Sequence, residues 1–423
     1  MKIDVMTKDK DTKTVVPALR FPEFRDGEGW KIVELNKACT INPTTKELPD
    51  SFVYIDLESV QDGKLLQKKI IKKHSAPSRA QRLLNKGDII YQMVRPYQKN
   101  NYFFTLENEL NYVASTGYAQ LRAFQSNSYI YQYIHTDEFV NQVIEKCTGS
   151  NYPAINSSDL SKMILPIPNI SEQEKVADCL GSMDDLISSV ADKIETLKEY
   201  KKGLMQQLFP AEGKTIPAIR FPEFQNAGEW EVDNEFSQYI KLYRGSSPRP
   251  IKEYLTQDID GVNWIKIGDT KSSKNYIINN VEEKITQKGS TKSRYVYQGE
   301  LILANSMSFG KTYLLEVEGC IYDGWFVLRE YENNYYKPFL LHLLNSEYMQ
   351  NQYLKLSAGG IVLNISSDIV YQTKLPHTSI DEQQKIADCL SSVDELISTE
   401  TAKLDQLKKH KKGLMQQLFP KLQ

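Results

Sequence analysis

The chain predicts an α+β fold in which two mixed α/β globules are separated by two long helices forming an antiparallel coiled coil, a pseudo-two-fold internal repeat. Three observations predict it. Residues 171–210, SEQEKVADCLGSMDDLISSVADKIETLKEYKKGLMQQLFP, return at 381–420 as DEQQKIADCLSSVDELISTETAKLDQLKKHKKGLMQQLFP, with about 25 of 40 positions matching and no gap. VPALRFPEF at 16–24 returns as IPAIRFPEF at 216–224, and Trp30 returns as Trp230. Between these repeated blocks lie two inserts of short β-rich runs whose sequences diverge almost completely.

Each repeated 40-residue block reads as one long helix. Val176, Leu180, Met183, Ile187, Val190, Ile194, Leu197, Leu204 and Leu208 follow a 4-3-4-3 spacing, and the second copy keeps the seam with Ile386, Leu390, Val393, Ile397, Leu404, Leu407, Leu414 and Leu418. So narrow a stripe wants a partner helix, and a helix of roughly 38 residues spans about 57 Å. The other copy is the simplest partner. Ser171 with Glu174, and Asp381 with Gln384, are expected to cap the two starts, while Pro210 and Pro420 mark the ends. Lys201 and Lys411 fall at the same seam position, and Glu400 stands where the first copy has Val190. They either set the register of the pair or snorkel off its edge.

These blocks divide the chain into an N-terminal segment 1–30, a globular domain 31–165, a spacer helix 170–210, a linker and repeat start 211–230, a second domain 231–375 and a second spacer helix 380–420. In the first domain FVYIDL from Phe52, DIIYQMV from Asp88, YFFTL from Tyr102 and YAQLRAF from Tyr118 read as strands, and Tyr129 to Cys147 as a helix. The second has VNWIKIGD, ELILANS and CIYDGWFVLRE, then a helix from Tyr335. Gly87-Asp88-Ile89-Ile90 is echoed by Gly299-Glu300-Leu301-Ile302, and Gly117 to Arg122 by Gly324 to Arg329, so the inserts are expected to share a fold.

Composition excludes more than it proposes. Net charge is −2 with a quarter of residues charged, so no global excess announces a polyanion. Five cysteines, Cys39, Cys147, Cys179, Cys320 and Cys389, show no zinc spacing, and an odd count with a polar N-terminus and no membrane-length apolar run points to reduced thiols and a cytoplasmic location. Phe309-Gly310-Lys311-Thr312 resembles the tail of a phosphate loop, but Asn305 replaces the glycine such a cradle needs. The histidines His74, His135, His342, His377 and His410 offer no triad, and Asp184-Asp185 and Asp394-Glu395 read as solvated helix flanks. No metal site and no amino-methyltransferase motif is present, so the chain is read as non-catalytic.

Two equivalent globules with different surfaces suit an extended ligand read at two places, and duplex DNA is the expected one. Lys68, Lys69, Lys72, Lys73, Arg79, Arg82, Arg95 and Lys99 supply cations in the first domain. Arg244, Ser246, Ser247, Arg249, Lys288, Lys292, Arg294 and Lys311 are their candidates in the second. The other reading of each cluster is a solvated surface.

The paired stretches LPIPNISEQEKVADCLGSMDDLI from Leu165 and LPHTSIDEQQKIADCLSSVDELI from Leu375, the two KKGLMQQLFP ends, the RFPEF openings and Tyr243-Arg244-Gly245-Ser246-Ser247-Pro248 resemble the specificity subunits of type I restriction-modification systems. The resemblance covers nearly the whole chain. It implies that the globules are target recognition domains, each reading one half of a bipartite DNA target. It also implies two docked methyltransferase subunits and, through the complex, restriction subunits, with S-adenosylmethionine, ATP and Mg held by those partners and none by this chain. The first domain departs from the pattern, with Cys39-Thr40-Ile41-Asn42-Pro43 where a glycine-bearing opening belongs. A free-standing bipartite DNA-binding regulator and a non-enzymatic coiled-coil scaffold stay open as alternatives.

Overall fold

The computed structural model describes residues 14–107, 110–149, 151–306, 310–357 and 365–422. The first thirteen residues of the N-terminal segment and Phe309 lie outside the described residues. The chain divides into two compact units, one of residues up to 189 together with those from 404 onward, the other of residues 190–403. Two helices of 39 residues, Ile170–Leu208 and Ile380–Leu418, each contribute a part to both units.

In the first unit, strands Tyr102–Phe103, Ile89–Gln92, Tyr118–Ala123 and Cys39–Ile41 form an antiparallel sheet in that order. A second sheet runs Lys69–Lys72, Ser51–Ile55, Tyr112–Ser115, Ala80–Leu83, with one parallel pairing at its centre. Ile55, Ile90 and Ala114 are fully buried, as the apolar runs in these strands require.

The second unit repeats this order strand for strand. Lys241–Arg244, Trp325–Arg329, Leu301–Ala304 and Thr312–Leu315 reproduce the first sheet and add Ile277–Ile278 at its edge. Lys284–Ile285, Val262–Ile265, Gly319–Ile321 and Arg294–Val296 reproduce the second, again with a parallel central pair, and add Leu255–Thr256. The echoes seen in the sequence are one ion pair written twice. Arg122 binds Asp88 through two nitrogens at 2.8 and 2.9 Å, and Arg329 binds Glu300 at 2.6 and 3.1 Å. Gly87 and Gly299 precede these acids at φ of 90° and 87°, a left-handed backbone that glycine adopts without steric cost.

The predicted helix from Tyr129 is two helices, Asn127–Tyr133 and Asp137–Lys146. Thr136 breaks it: its hydroxyl donates to the Tyr133 carbonyl at 2.7 Å and accepts from the Phe139 N–H at 3.2 Å. Ser346 divides Lys337–Asn345 from Glu347–Ser357 in the same way, bonding the Leu343 carbonyl and the Met349 N–H. A hydroxyl that serves the backbone on both sides ends one helix and caps the next.

The long helices begin earlier than their expected caps. The Glu172 N–H donates to Asn169 Oδ1 at 3.0 Å and the Glu382 N–H to Ser379 Oγ at 3.4 Å, so Asn169 and Ser379 take the role assigned to Ser171 and Asp381. Glu172 and Glu382 are buried in the first turn, each gripped by an arginine from a repeated opening block. Arg20 reaches both oxygens of Glu172 at 2.7 and 2.8 Å, and Arg220 both oxygens of Glu382 at 2.7 Å. The remaining guanidinium donors bind the carbonyls of Gly27 and Glu28, and of Ala227 and Gly228. This explains why RFPEF was copied together with the helix.

Within the first unit, Val176, Leu180 and Leu418 are buried among Trp30, Tyr129 and Phe419, while Met183, Ile187, Leu404, Leu407 and Leu414 are half-buried. Within the second, Leu208, Ile386 and Leu390 join Trp230 and Phe339; Val190, Ile194, Val393 and Ile397 are buried, and Leu197 and Leu204 half-buried. The ends of the seam are therefore domain core as well as helix contact. In each unit the helix halves run antiparallel, with Lys411 against Asp184 at 2.5 Å in one and Lys201 against Asp394 at 2.5 Å in the other. Asp184 and Asp394 thus hold the seam lysines and are not merely solvated flanks. Burial raises the Asp394 carboxyl above its ordinary range even though Lys201 pulls the other way.

Candidate nucleic-acid interface

The first unit's cations do not converge as their sequence clustering suggested. Lys69 and Lys72 lie on strand Lys69–Lys72 with Lys68 just before it, whereas Arg82 lies on Ala80–Leu83 with Arg79 just before that. These strands are the two opposite edges of one four-stranded sheet, roughly 14 Å apart at about 4.8 Å per strand. Lys73 is drawn to Glu47 at 3.0 Å. Arg95 has a left-handed φ of 54°, and its guanidinium stacks 4.3 Å above the exposed Tyr152 ring. Lys99 donates to the His135 carbonyl at 2.9 Å and to Asp137 at 3.0 Å. Its charge is satisfied inside the domain, which removes it from the free cations.

In the second unit most candidates do meet. Arg244 ends its strand, and the Ser246, Ser247 and Arg249 loop crosses to strand Arg294–Val296. There Ser293 Oγ donates to the Ser246 carbonyl at 2.6 Å, and Arg294 Nε to the Arg244 carbonyl at 3.2 Å. Lys292 donates to the Tyr254 hydroxyl at 2.6 Å. Lys288 is exposed on the short helix Gln287–Ser290. Lys311 stands apart, half-buried 5.9 Å from the Tyr276 ring centre, its ammonium pKa lowered by burial.

A cavity of about 380 Å³ opens beside this loop, lined by Ser247, Arg249, Trp264, Lys266, Tyr322 and Asp323 among others. Asp323 is the member that charge-based reasoning passed over. Its carboxylate accepts from Ser247 Oγ, and its carbonyl accepts from Asn305 Nδ2 at 2.9 Å and Arg244 Nε at 3.3 Å. Burial pushes the Asp323 carboxyl up, but Ser247, its own backbone N–H, Arg249 and Arg244 outweigh it, and the net shift is downward. Asn305, noted only as a defect in a phosphate loop, is a brace for this acid. The signal that could have found the site is Tyr322-Asp323-Gly324, a turn inside an otherwise apolar run. A Cβ on Gly324 would lie 2.1 Å from the Tyr322 ring, and one on Gly245 would lie 2.0 Å from the Tyr322 carbonyl oxygen. Both glycines are spaces into which Tyr322 fits.

Among the described residues no cluster of His, Cys, Asp or Glu is arranged to hold a metal ion, and no helix is long and apolar enough to cross a membrane. The arrangement offers fixed arginine forks, an ionised carboxylate and aromatic faces on sheet edges and loops. Such groups can bind phosphate and base edges without bond chemistry.

Residues 27–199 and 240–409 each match the family described as the type I restriction modification DNA specificity domain. The MjaVIII type I restriction enzyme specificity subunit of Methanocaldococcus jannaschii is 24% identical over 284 residues, 64% of either chain. The putative MjaX subunit of the same organism is 25% identical over 64% of this chain and 61% of its own length. The chain thus spans just under two thirds of these relatives. Two solved structures share the fold. A chain from a type I R-M system solved for its complex assembly and conformational transition aligns with a TM-score of 0.58 at 20% identity, over 93% of this chain and 98% of that one. The S subunit from M. genitalium aligns at 0.57 with 14% identity, over 96% and 100%. With two matched regions that together cover most of its length, this chain belongs to the type I restriction modification DNA specificity domain family.

Proposed function

We propose that this chain is the specificity subunit of a type I restriction-modification complex, reading a bipartite DNA target with one recognition domain per half. One observation carries the reading: the sheet order, the Asp88–Arg122 and Glu300–Arg329 pairs and the arginine clamps are repeated, while most of the loop and edge residues around them differ. A duplicated frame with diverged surface suits two different half-sites. The DNA-facing groups would be Lys68, Lys69, Lys72, Arg79, Arg82 and Arg95 in the first domain, and Arg244, Ser246, Arg249, Lys288, Lys292 and Arg294 in the second.

The chain would bring no catalytic group of its own. Methyltransferase subunits, and through them restriction subunits, would supply chemistry with S-adenosylmethionine, ATP and Mg. Leu186 and Leu396, equivalent in the two helices, are 42% and 53% exposed and mark where a partner helix would dock.

The test is a map of N6-methyladenine in a methylation-free host that expresses this chain with its neighbouring methyltransferase, beside variants with either insert exchanged. A split motif whose halves change independently is expected. A confirmed, active complex that leaves no such motif would overturn the reading.

A further inference from the structure

Resting on that DNA reading, we infer that Arg82 and Arg294 are a matched pair of backbone-phosphate contacts, one in each recognition domain, that seat the protein on either half-site without reading its sequence. Arg82 and Arg294 each stand five residues before the repeated Gly87 and Gly299, and strand register confirms the pairing. In the first domain Ile55 pairs with Ala114, and Ala114 with Arg82 across the next ladder. In the second, Ile265 pairs with Ile321, and Ile321 with Arg294. The two arginines occupy the same rung of the same edge strand.

Their surroundings also match. The loop leaving the first strand of each domain clasps this edge strand through a hydroxyl-bearing residue. Thr45 Oγ1 donates to the Gln81 carbonyl at 3.0 Å and accepts from the Leu83 N–H. Ser246, in the equivalent loop, donates through Oγ to the Lys292 carbonyl at 3.4 Å and accepts from Ser293 Oγ at its own carbonyl. The chain beside each arginine is therefore tied to that loop, on both sides of Arg82 and on the N-terminal side of Arg294.

What separates these two arginines from the four that hold the fold together is the lack of a carboxylate partner on a partly buried side chain. Arg20, Arg122, Arg220 and Arg329 each hold a carboxylate through two nitrogens. Among the described residues, Arg82 and Arg294 form no carboxylate ion pair, although both are only half-exposed. Arg82 Nε is buried with no hydrogen-bond partner, and burial lowers the guanidinium pKa. Arg294 has a carbonyl for its Nε and the Tyr243 ring 5.6 Å away, so its terminal nitrogens are the ones left for an anion. A partly desolvated cation without a counter-charge is unfavourable until an anion arrives. The guanidinium fork suits two oxygens of one phosphodiester. A base contact is disfavoured because the position is kept while everything that would distinguish the half-sites has changed.

The experiment measures binding of the full chain, with its methyltransferase, to a duplex carrying the methylated split motif between 50 and 200 mM salt. Arg82→Gln and Arg294→Gln are each expected to weaken binding roughly tenfold and flatten the log–log salt slope by about one, equally on a duplex with one half scrambled. Arg82→Lys and Arg294→Lys should restore the slope. Arg82→Met, which keeps the aliphatic packing, guards against a folding defect when its melting temperature matches the parent's. Wild-type affinity and slope in the neutral variants would overturn the pair while leaving DNA recognition standing. So would a methylated motif that loosens at one base position, which marks a base contact. No duplex binding by the wild-type complex would sink the underlying reading as well.

Discussion

Arg20 and Glu172 meet through four atoms, Nε and one terminal nitrogen against both carboxylate oxygens, with side chains 6% and 1% exposed. The contact ties an opening segment to the first turn of a helix 152 residues later. Hydrogen bonding to Glu172 raises the Arg20 pKa despite the opposing effect of burial, so the guanidinium keeps its charge. Removing one partner leaves the other charge buried. Arg20→Ala is expected to cost about 3–5 kcal/mol, and Arg220→Ala a similar amount in its own unit. Denaturant melts would check this; a cost under about 1 kcal/mol would show that the clamp is solvated.

Acid should weaken the second unit through His342. This side chain is 6% exposed, its Nε2 is 4.0 Å from Asp394, and burial, helped by Lys201, lowers its pKa to about 3. The native state holds it neutral while the unfolded chain binds a proton near pH 6.5. Its contribution is therefore complete above pH 6.5 and lost as pH falls from there toward about 3. The loss amounts to roughly 2 kcal/mol at pH 5. His135 carries the same sign in the first unit, with its pKa lowered to about 4, chiefly by burial. His342→Gln, the residue that Gln132 provides at the equivalent place, should flatten the decline of melting temperature between pH 7 and 5. An unchanged pH profile would assign the decline to other groups.

The seam can be tested by charge. Ile397 is 8% exposed and Ile187 half-buried, so Ile187→Asp with Ile397→Asp places unpaired carboxylates in apolar surroundings. A fall in melting temperature of at least 10 °C and an expanded scattering profile are expected. Unchanged curves would show that the helix contacts contribute little.

Reversing Lys68, Lys69 and Lys72 to Glu is expected to reduce duplex affinity at least tenfold and flatten its salt dependence. These side chains have no carboxylate partner among the described residues, so the change breaks no ion pair of the fold. Lys73 is better left alone because of Glu47. Filter-binding titrations at several salt concentrations provide the check, and a parental slope would remove this sheet edge from the interface.

The sequence by itself determined the duplication, the helix pair and the likeness between the inserts, because a seven-residue apolar spacing and near-identical blocks are local patterns that survive without coordinates. Gly87-Asp88 against Gly299-Glu300 was legible as a repeat, though not as one half of an ion pair, since its arginine lies about 30 residues away in either domain. Only tertiary structure decided which cations stand together. Lys72 and Arg82 are ten residues apart in the chain but occupy opposite edges of a sheet, because strand order follows pairing and not sequence. Arg82 and Arg294 share a five-residue spacing to the repeated glycine, but only strand register shows that they fall on one rung of an edge strand. Asp323 stayed hidden because its role is set by Ser247 and Asn305, brought to it from separate loops. Periodicity records which face of an element is buried; the register between elements records what that face meets.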